Sequence, residues 1–169
     1  MSLTQTQVSA LRLAAAAAVA SERATRLPSE LTLPQWVDES GCGAHEPGNN
    51  CFGIKAVAGT AAETLPTEEY VHSSQTPITE RQAFQAFPTL QACFDRHASL
   101  ITTGKPYAAA WAQYQKDGDI RMLVQRVAHS YATDPLYGTK ILRILQMAEV
   151  RAALTAARNP IIQIAKATE

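Results

Sequence analysis

The chain has no excess of charge of either sign, since its 15 Lys and Arg residues are balanced by 15 Asp and Glu residues. Proteins that bind nucleic acid through the phosphate backbone need a surplus of Lys and Arg, which neutralises the phosphates. The sequence also lacks a run of about 20 apolar residues, the length that a membrane-spanning helix needs. We therefore expect neither a nucleic-acid partner nor insertion into a membrane.

Cysteine is scarce, because the 169 residues include only Cys42, Cys51 and Cys93. An odd number with no repeated spacing argues against a disulfide framework and against a zinc ribbon. Cys42 and Cys51 flank one short loop and could form a disulfide in an oxidising compartment. The alternative is that all three are small buried hydrophobic side chains.

Motifs for metals, phosphates and catalytic serines are also missing. The four histidines lack the His-x-x-x-His spacing of metal ligands on a helix. His97 lies among apolar positions of a predicted helix, where we expect it to be partly buried with its polar atoms satisfied. The chain has neither a Gly-x-Ser-x-Gly motif nor a glycine-rich phosphate-binding loop. The sequence therefore predicts no metal ion and no cofactor.

An alanine-rich segment, residues 11–27, could be mistaken for the apolar part of a signal peptide. Arg12 interrupts it, and it continues into a charged helical sequence without a clear cleavage site. We interpret it as a helix that buries Leu11, Ala15 and Val19 on one face. We therefore expect the protein to be made in the cytoplasm without a signal peptide.

The second predicted helix contains the first candidate catalytic residue. Thr32 and Gln35 have the spacing of a capping box, and Gly41 can adopt the left-handed conformation that ends a helix. Glu39 then lies in the last turn, where the negative end of the helix dipole disfavours a charged carboxylate. The neighbouring Trp36 and a closed cleft would exclude water and favour the neutral acid further. Glycoside cleavage requires such a protonated carboxyl as its general acid, whereas the alternative is a solvated glutamate near a helix end.

The middle of the chain has a loop pattern followed by a hairpin pattern. Residues 42–60 have no periodicity and are predicted to be loop. Residues of about 62–88 are predicted to form a β-hairpin lobe. Its strands are expected at 68–72 and 78–84, with the turn-forming residues at 73–77 between them.

Helical periodicity then returns in four segments, the last of which is predicted to continue as one helix into the alanine-rich stretch 150–159. The segments begin near Leu90, Tyr107, Ile120 and Leu136. Together these patterns predict a fold of the α+β class that is predominantly α. At this length we expect a single domain over residues 1–169.

Three spaced elements of the sequence carry the most specific information: LPSELTLPQWVDESGCG at 27–43, NNCFGIKA at 49–56 and YATDPLYGTKILRIL at 131–145. Together they resemble the glucosaminidase family of peptidoglycan hydrolases, glycoside hydrolase family 73. That family's pattern runs Glu-Ser-Gly-Trp-Gly, then Asn-x-Phe-Gly-Ile-Lys, then a β-hairpin with a Thr-x-Glu element, and finally Tyr-Ala-Thr-Asp-Pro. Here the elements follow the same order across residues 28–145.

The resemblance implies a lysozyme-like fold, in which a helical lobe and a small β-hairpin lobe flank a groove for a glycan strand. It implies that Glu39 is the general acid and that Tyr131 faces the catalytic cleft. The alternative for Tyr131 is a core tyrosine whose hydroxyl bonds to the backbone. Asp134 and Pro135 are expected to fix the turn between two helices. The element that shapes the floor of the groove implies substrate-binding roles for Asn50, Phe52, Gly53 and Lys55.

The resemblance also implies a second carboxylate on the hairpin, for which Glu63, Glu68 and Glu69 are the candidates. Glu69 fits best because it directly precedes Tyr70, as in the family's glutamate-tyrosine arrangement, and we expect Tyr70 to contact substrate. Since side chains alternate across a strand, only one of Glu68 and Glu69 can face the groove.

The role of the second carboxylate depends on its distance from the acid. A gap of about 6.5–9.5 Å leaves room for a water and gives inversion, whereas about 5 Å gives retention through a covalent intermediate. The N-acetyl group of the sugar could also assist cleavage. We favour the water-mediated route with Glu69 as the base.

Two positions depart from the family pattern. Cys42 replaces a tryptophan and Cys51 replaces a larger apolar residue, which is the main reason to consider a disulfide between them. Stacking on the sugar could pass to Tyr107, Trp111 or Tyr114, although aromatic residues at helical spacing are also typical of a core.

The predicted function is that of an endo-β-N-acetylglucosaminidase that cleaves peptidoglycan glycan strands after N-acetylglucosamine. The alternatives are a catalytically impaired peptidoglycan-binding protein, and a lytic transglycosylase or muramidase of the same fold. Without a signal peptide, the protein would reach the wall, in the periplasm or outside the cell, through phage-type release or a secretion system. A domain cut from a longer exported protein would have the same sequence features. A holin, an immunity protein or a secretion-system component could then be a partner, and we expect a monomer.

Overall fold

The structure has a two-stranded hairpin inserted among helices. It is a computed structural model that describes residues 3–69 and 78–159, with only the backbone described for 66–69 and 78–80. The helices of this part of the chain are α1 (Gln5–Thr25), α2 (Ser29–Ser40), α3 (Leu90–Thr103), α4 (Ala108–Asp117), α5 (Ile120–Tyr131), α6 (Tyr137–Leu145) and α7 (Ala148–Arg158). The strands are β1 (Ala62–Glu69) and β2 (Ile78–Gln85), and single 3-10 turns lie at Pro47–Asn49 and Lys105–Tyr107. This is the α+β, predominantly α architecture that the sequence predicts.

The alanine-rich segment forms α1, as predicted. The Thr4 hydroxyl accepts a hydrogen bond from the Gln7 amide, and the Gln7 side chain accepts one from the Thr4 amide, so a capping box begins the helix. Leu11, Ala15 and Val19 are buried. Both α3 and α7 pack on α1. The small alanine side chains favour close approach of these helices.

The predicted start of α2 is wrong, because the helix begins at Ser29 and Thr32 lies inside it. Thr32 and Gln35 are fully buried, and the Gln35 amide donates to Tyr137 instead of capping the helix. Pro28 has an extended backbone, which sets the beginning of the helix. The predicted end is confirmed, since Gly41 has φ 60° and ψ 44° and closes the last turn.

The hairpin begins at the predicted residue, 62, but its first strand starts earlier than the predicted 68. Strand β1 starts at Ala62 and pairs antiparallel with β2, from Ala62 opposite Gln85 to Glu69 opposite Ile78. The loop before β1 also pairs with β2, because the Gln85 amide donates to the Ile54 carbonyl, and the Ala56 amide donates to the Ala83 carbonyl. The predicted turn at 73–77 and residues 70–72 of the predicted first strand lie outside the described residues.

The single C-terminal helix predicted from Leu136 is wrong, because two helices, α6 and α7, cover this region. Met147 has ψ 135° and breaks the helical path. The two helices bury residues against different neighbours, since α6 packs mainly on α2 and α5, and α7 packs mainly on α1. A straight helix could not make both sets of contacts.

Two apolar clusters fill the helical lobe. The first joins α1, α2, α3, α7 and the loop at 51–54, and includes Leu11, Leu33, Trp36, Phe52, Phe94 and Leu154. The second joins the start of α2 to α3, α4, α5 and α6, and includes Leu27, Leu31, Ile101, Leu123, Val127 and Ile141. None of the helices in residues 3–69 and 78–159 has the length and apolar character needed to cross a membrane.

Phe94 should be among the most sensitive positions of the fold, because its side chain is 0% exposed in the first cluster. We expect Phe94→Ala to lower the free energy of unfolding by about 3–5 kcal/mol, since it leaves a cavity between α1 and α3. Leu13→Ala is the control, because Leu13 is 69% exposed and should change stability by about 0.5 kcal/mol or less. Urea unfolding followed by circular dichroism measures both, and equal losses would contradict this description of the core.

Candidate active site

Glu39 lies at the end of α2, where a hydrogen bond holds its carboxyl. The Tyr137 hydroxyl, from the start of α6, donates to Glu39 Oε1 at 2.7 Å. The same hydroxyl accepts a hydrogen bond of 3.3 Å from the buried Gln35 amide, one turn earlier on α2. Because burial raises the pKa of Tyr137, this hydroxyl keeps its proton and remains a donor. Gln35, Tyr137 and Glu39 therefore form a directed chain of hydrogen bonds.

The surroundings of Glu39 favour the protonated acid. The side chain is exposed at the surface of a cleft, yet the walls around the carboxyl desolvate it, and this desolvation is the main cause that raises its pKa. The negative charge of Asp38 raises the pKa further, whereas the hydrogen bond from Tyr137 and the positive charge of Lys140 lower it. Lys140 lies 3.1 Å from Asp38. The balance is a carboxyl that keeps its proton to higher pH than an ordinary glutamate.

Trp36 does not have the role expected for it beside Glu39. It is buried in the first cluster, and its indole N–H donates to the Glu46 carboxylate. The aromatic walls near Glu39 come from Tyr131 and Tyr137, whose rings are stacked with centroids 5.6 Å apart.

His97 and Phe52 continue this row of rings towards the core. The Phe52 ring stacks on His97 with centroids 3.9 Å apart, and His97 meets the Tyr131 ring edge-on at 5.7 Å. The expectation of a partly buried, satisfied His97 is wrong, since it is fully buried and neither ring nitrogen has a hydrogen-bond partner among the described residues. Burial lowers the pKa of His97 to about 3, so this histidine acts as a neutral flat surface.

Two cavities share Glu39 and Gly53 in their walls. The larger has a volume of about 840 Å³ and is lined on its polar side by Asp38, Lys55, Arg96, Asp134 and Lys140. The smaller has a volume of about 230 Å³ and extends between the loop after α2 and the hairpin, where Leu65 and Phe84 line it. The Glu39 carboxyl therefore has open space on both sides.

The predicted groove element, residues 50–55, takes its shape from Asn50. The buried Asn50 amide donates to the carbonyls of Ile54 and Gln85 at 2.9 Å, and its oxygen accepts from the Ile54 amide at 3.0 Å. Asn50 thus orders the loop rather than presenting a free amide. Gly53 has φ 60°, a conformation that favours glycine. The backbone of Lys55 forms an antiparallel β-bridge with that of Phe84, and Lys55 is exposed in the larger cavity.

The candidates for the second carboxylate lie on β1. Glu68 pairs with Thr79, and Glu69 pairs with Ile78 at the end of the strand, but their side chains are outside the described part of the chain. The Glu63 carboxyl lies against Gly48, since a Cβ atom on this glycine would be 3.0 Å from Glu63 Oε1. Tyr70 also lies outside the described residues.

The structure places Tyr131 and Tyr107 in the wall of the larger cavity. The Tyr131 hydroxyl donates to the Phe52 carbonyl at 3.5 Å. This contact combines the two expectations, because the residue lines the cleft and also bonds to the backbone. Trp111 and Tyr114 stack on each other, 5.8 Å apart, and pack against the second cluster, as expected of core aromatics.

The turn between α5 and α6 has the predicted basis. Asp134 Oδ1 accepts a hydrogen bond of 2.8 Å from the Leu136 amide, and the Asp134 carbonyl accepts one of 3.1 Å from the Tyr137 amide. This turn therefore delivers Tyr137 to Glu39.

Sequence reasoning missed Tyr137 and Gln35. Both lie within the quoted elements 131–145 and 27–43, and the available signal was the helical repeat that places Tyr137, Lys140 and Ile141 on one side of α6. The disulfide considered between Cys42 and Cys51 is not formed, and the alternative of three buried thiols agrees with the structure. Cys51 Sγ lies 3.3 Å from Cys93 Sγ, and all three cysteines are free.

Comparison with known proteins adds an independent line of evidence. Residues 15–149 match the glucosaminidase family, described as mannosyl-glycoprotein endo-beta-N-acetylglucosaminidase. The peptidoglycan hydrolase FlgJ of Vibrio parahaemolyticus is 28% identical over 134 residues, which are 75% of this chain and 42% of that protein. FlgJ of Salmonella typhimurium is 30% identical over 146 residues, 80% of this chain and 44% of that protein. The chain thus spans less than half the length of these relatives.

The fold is also that of a solved structure. The catalytic domain of the autolysin Auto from Listeria monocytogenes superposes with a TM-score of 0.76 at 18% identity, covering 90% of each chain. At this identity the likeness concerns the fold alone. Since the family match covers most of the sequence, this chain belongs to the glucosaminidase family of glycoside hydrolases.

Proposed function

We propose that the chain hydrolyses peptidoglycan as an endo-β-N-acetylglucosaminidase, with Glu39 as the general acid that protonates the glycosidic oxygen. The observation that carries this proposal is the Glu39 carboxyl, which has a raised pKa and stands between two cavities. A glycan strand needs space on both sides of the bond that is cut. The names of the relatives support the substrate, since they are called peptidoglycan hydrolases.

Tyr137 stabilises the carboxylate that Glu39 becomes after it donates its proton. When Glu39 donates its proton, the carboxyl becomes a carboxylate in a partly desolvated site, which is unfavourable without a partner. The Tyr137 hydroxyl already donates to Glu39 Oε1 at 2.7 Å, and a hydrogen bond to a charged group is stronger than one to a neutral group. Tyr137 therefore stabilises the product form of the acid.

Glu69 is proposed as the second carboxylate, which activates the attacking water. In a strand, positions two apart share one face, so position 69 has the same parity as Leu65. Leu65 lines the smaller cavity together with Glu39. Position 68 has the opposite parity, and the Glu63 carboxyl lies against Gly48. The register of β1 and the position of Glu63 therefore favour Glu69 over the other two glutamates.

The remaining groove residues are proposed to bind the glycan. Lys55 and Tyr131 line the larger cavity, where an ammonium group and an aromatic ring suit the polar edges and flat faces of sugars. Phe52 and Gly53 shape its floor, and Asn50 holds that floor in place. Tyr70 is proposed to contact substrate from the hairpin. Action on the wall would take place in the periplasm or outside the cell.

Glu39→Gln should lower the rate of reducing-end release from purified peptidoglycan by roughly 10²–10⁴-fold, the usual contribution of a general acid. The amide keeps the size of the side chain but cannot donate an acidic proton. Glu149→Gln is the matched control, because Glu149 lies in the first turn of α7 and lines neither cavity. If Glu39→Gln digests walls as fast as the parent, another residue is the acid.

Analysis of the products by mass spectrometry tests the cleavage itself. We expect reducing ends of N-acetylglucosamine. Reducing ends of N-acetylmuramic acid would identify a muramidase, and an anhydro sugar would identify a lytic transglycosylase. Binding to walls without any product would identify a binding protein.

The pH dependence of kcat/KM should report the pKa of Glu39. Activity falls as the pH rises through this pKa, because the acid must be protonated. Tyr137→Phe removes the hydrogen bond that lowers the pKa of Glu39, so the descending limb should move to higher pH. The rate at the optimum should fall by roughly tenfold to a hundredfold, since the carboxylate formed loses its donor.

Tyr131→Phe is the control for this shift, because the Tyr131 hydroxyl bonds to the Phe52 carbonyl. Its descending limb should stay at the pH of the parent. A Tyr137→Phe profile with an unchanged or acid-shifted descending limb would contradict the assigned hydrogen bond.

Replacement of the hairpin glutamates one at a time should identify the one that acts as the base. We expect Glu69→Gln to lose about 10²-fold or more in kcat, whereas Glu68→Gln and Glu63→Gln stay near the parent rate. NMR of the first sugar product distinguishes inversion, which a base and a bound water produce, from retention. A parent-like Glu69→Gln variant would exclude Glu69 and favour assistance by the N-acetyl group.

A further inference from the structure

Cys51 and Cys93 form a buried thiol pair that catalysis does not use. Their sulfur atoms lie 3.3 Å apart although the residues are 42 positions apart in sequence. Both side chains are essentially buried, with 1% and 0% exposure. The two residues come from different parts of the fold. Cys51 lies in the loop at 50–55, here called the groove loop, and Cys93 lies in the first turn of α3.

We propose that Cys51 and Cys93 form a disulfide when the protein folds in an oxidising compartment, and that this bond clamps the groove loop to α3. A disulfide requires the two sulfur atoms to approach to about 2.05 Å. From the observed 3.3 Å, the remaining approach is about 1.3 Å.

The electrostatics of the pair suit thiol–disulfide exchange. The hydrogen bond from the Cys51 thiol stabilises a thiolate on Cys93 and lowers the pKa of Cys93. The thiolate is the form that attacks a disulfide. Because Cys93 is 0% exposed in the folded protein, an external disulfide reaches it while the chain folds, before α3 and the loop at 50–55 have packed.

The oxidant is a disulfide of the compartment, either a small one such as oxidised glutathione or a protein disulfide. The Cys93 thiolate attacks one sulfur of this disulfide, its S–S bond breaks, and the departing thiolate takes up a proton. Cys51, after losing its proton, then attacks Cys93 Sγ in the mixed disulfide and releases the second thiol. Two protein thiols are oxidised and one external disulfide is reduced to two thiols, so atoms and electrons balance.

The disulfide would fix the part of the cavity wall that Phe52 forms. Phe52 directly follows Cys51, and its ring already packs on two residues of α3, stacked on His97 at 3.9 Å and edge-on to Phe94 at 5.0 Å. A covalent link at the neighbouring residue would hold these contacts in place and would close a loop that contains the entire hairpin. Links that close long loops remove much entropy from the unfolded chain.

Cys42 provides the internal control. It is buried near the end of α2, but the sulfur that faces Cys51 belongs to Cys93. The inference does not depend on the proposed function, because the state of the thiols can be measured without substrate.

The test uses the full chain, unfolded and refolded in a buffer of reduced and oxidised glutathione. After quenching, the thiols are blocked with a maleimide under denaturing conditions and counted by intact mass. We expect one free thiol in the parent and a crosslinked peptide pair that contains Cys51 and Cys93. Cys42→Ser should have no free thiol and the same crosslink, whereas Cys51→Ser and Cys93→Ser should keep both of their remaining thiols.

Thermal unfolding gives a second measurement on the parent protein alone, in case a serine variant does not fold. Addition of a dithiol reductant should lower the Tm of the oxidised parent and of Cys42→Ser by about 8 °C or more. Three free thiols after refolding, or a crosslink that contains Cys42, would overturn the proposal. A Tm of the oxidised parent that reductant leaves unchanged would overturn the clamp.

Discussion

The hydrogen bond from Tyr137 to Glu39 is the contact on which the site depends, because it joins residues 98 positions apart in sequence. Glu39 is fixed by the end of α2, whereas Tyr137 is fixed by the turn that Asp134 forms before α6. The bond can exist only when both helices are packed at their native angle. Gln35 strengthens this constraint, since it lies on the same helix as Glu39 and orients the same hydroxyl.

The site balances two opposing effects on one carboxyl. Desolvation favours the protonated form of Glu39, whereas the hydrogen bond from the Tyr137 hydroxyl favours its carboxylate. A fully buried glutamate without this donor would keep its proton, but it would be a weak proton donor because its carboxylate would have no partner. A fully solvated glutamate would have lost the proton near neutral pH. The partly enclosed position of Glu39 at the end of a helix, with one neutral donor, therefore suits the general-acid role that we propose for it.

The sequence predicts those parts of the fold and site that depend on local structure. The last turn of α2 ends at Gly41 because a left-handed residue is needed there, and this places Glu39 correctly. The start of α2 could not be obtained in the same way. Thr32 and Gln35 have the spacing of a cap, but their burial in the core decides against it.

Tertiary contacts account for the other differences. Tyr137 reaches Glu39 only through the packing of α6 on α2, and the pairing of Cys51 with Cys93 depends on how the groove loop meets α3. The interruption at Met147 arises because α6 and α7 have different partners. Local sequence patterns hold no information about such contacts between distant residues. For this reason the sequence predicts Tyr131 at the site but not Tyr137.

The proposed reaction stereochemistry depends on the position of the hairpin as well as on Glu39. The backbone bonds that tie the hairpin to the groove loop lie at its base, at Ala83 and Gln85 of β2. Glu69 lies at the other end of β1, seven residues from Ala62 and therefore about 23 Å away at the usual rise per residue. Over such a length, a tilt of about 10° moves the far end by roughly 4 Å, which is comparable to the difference between the retaining and inverting distances. If Glu69 is the base, the angle between the hairpin and the helical lobe therefore sets the outcome at the sugar, while α2 and α6 hold the acid in place.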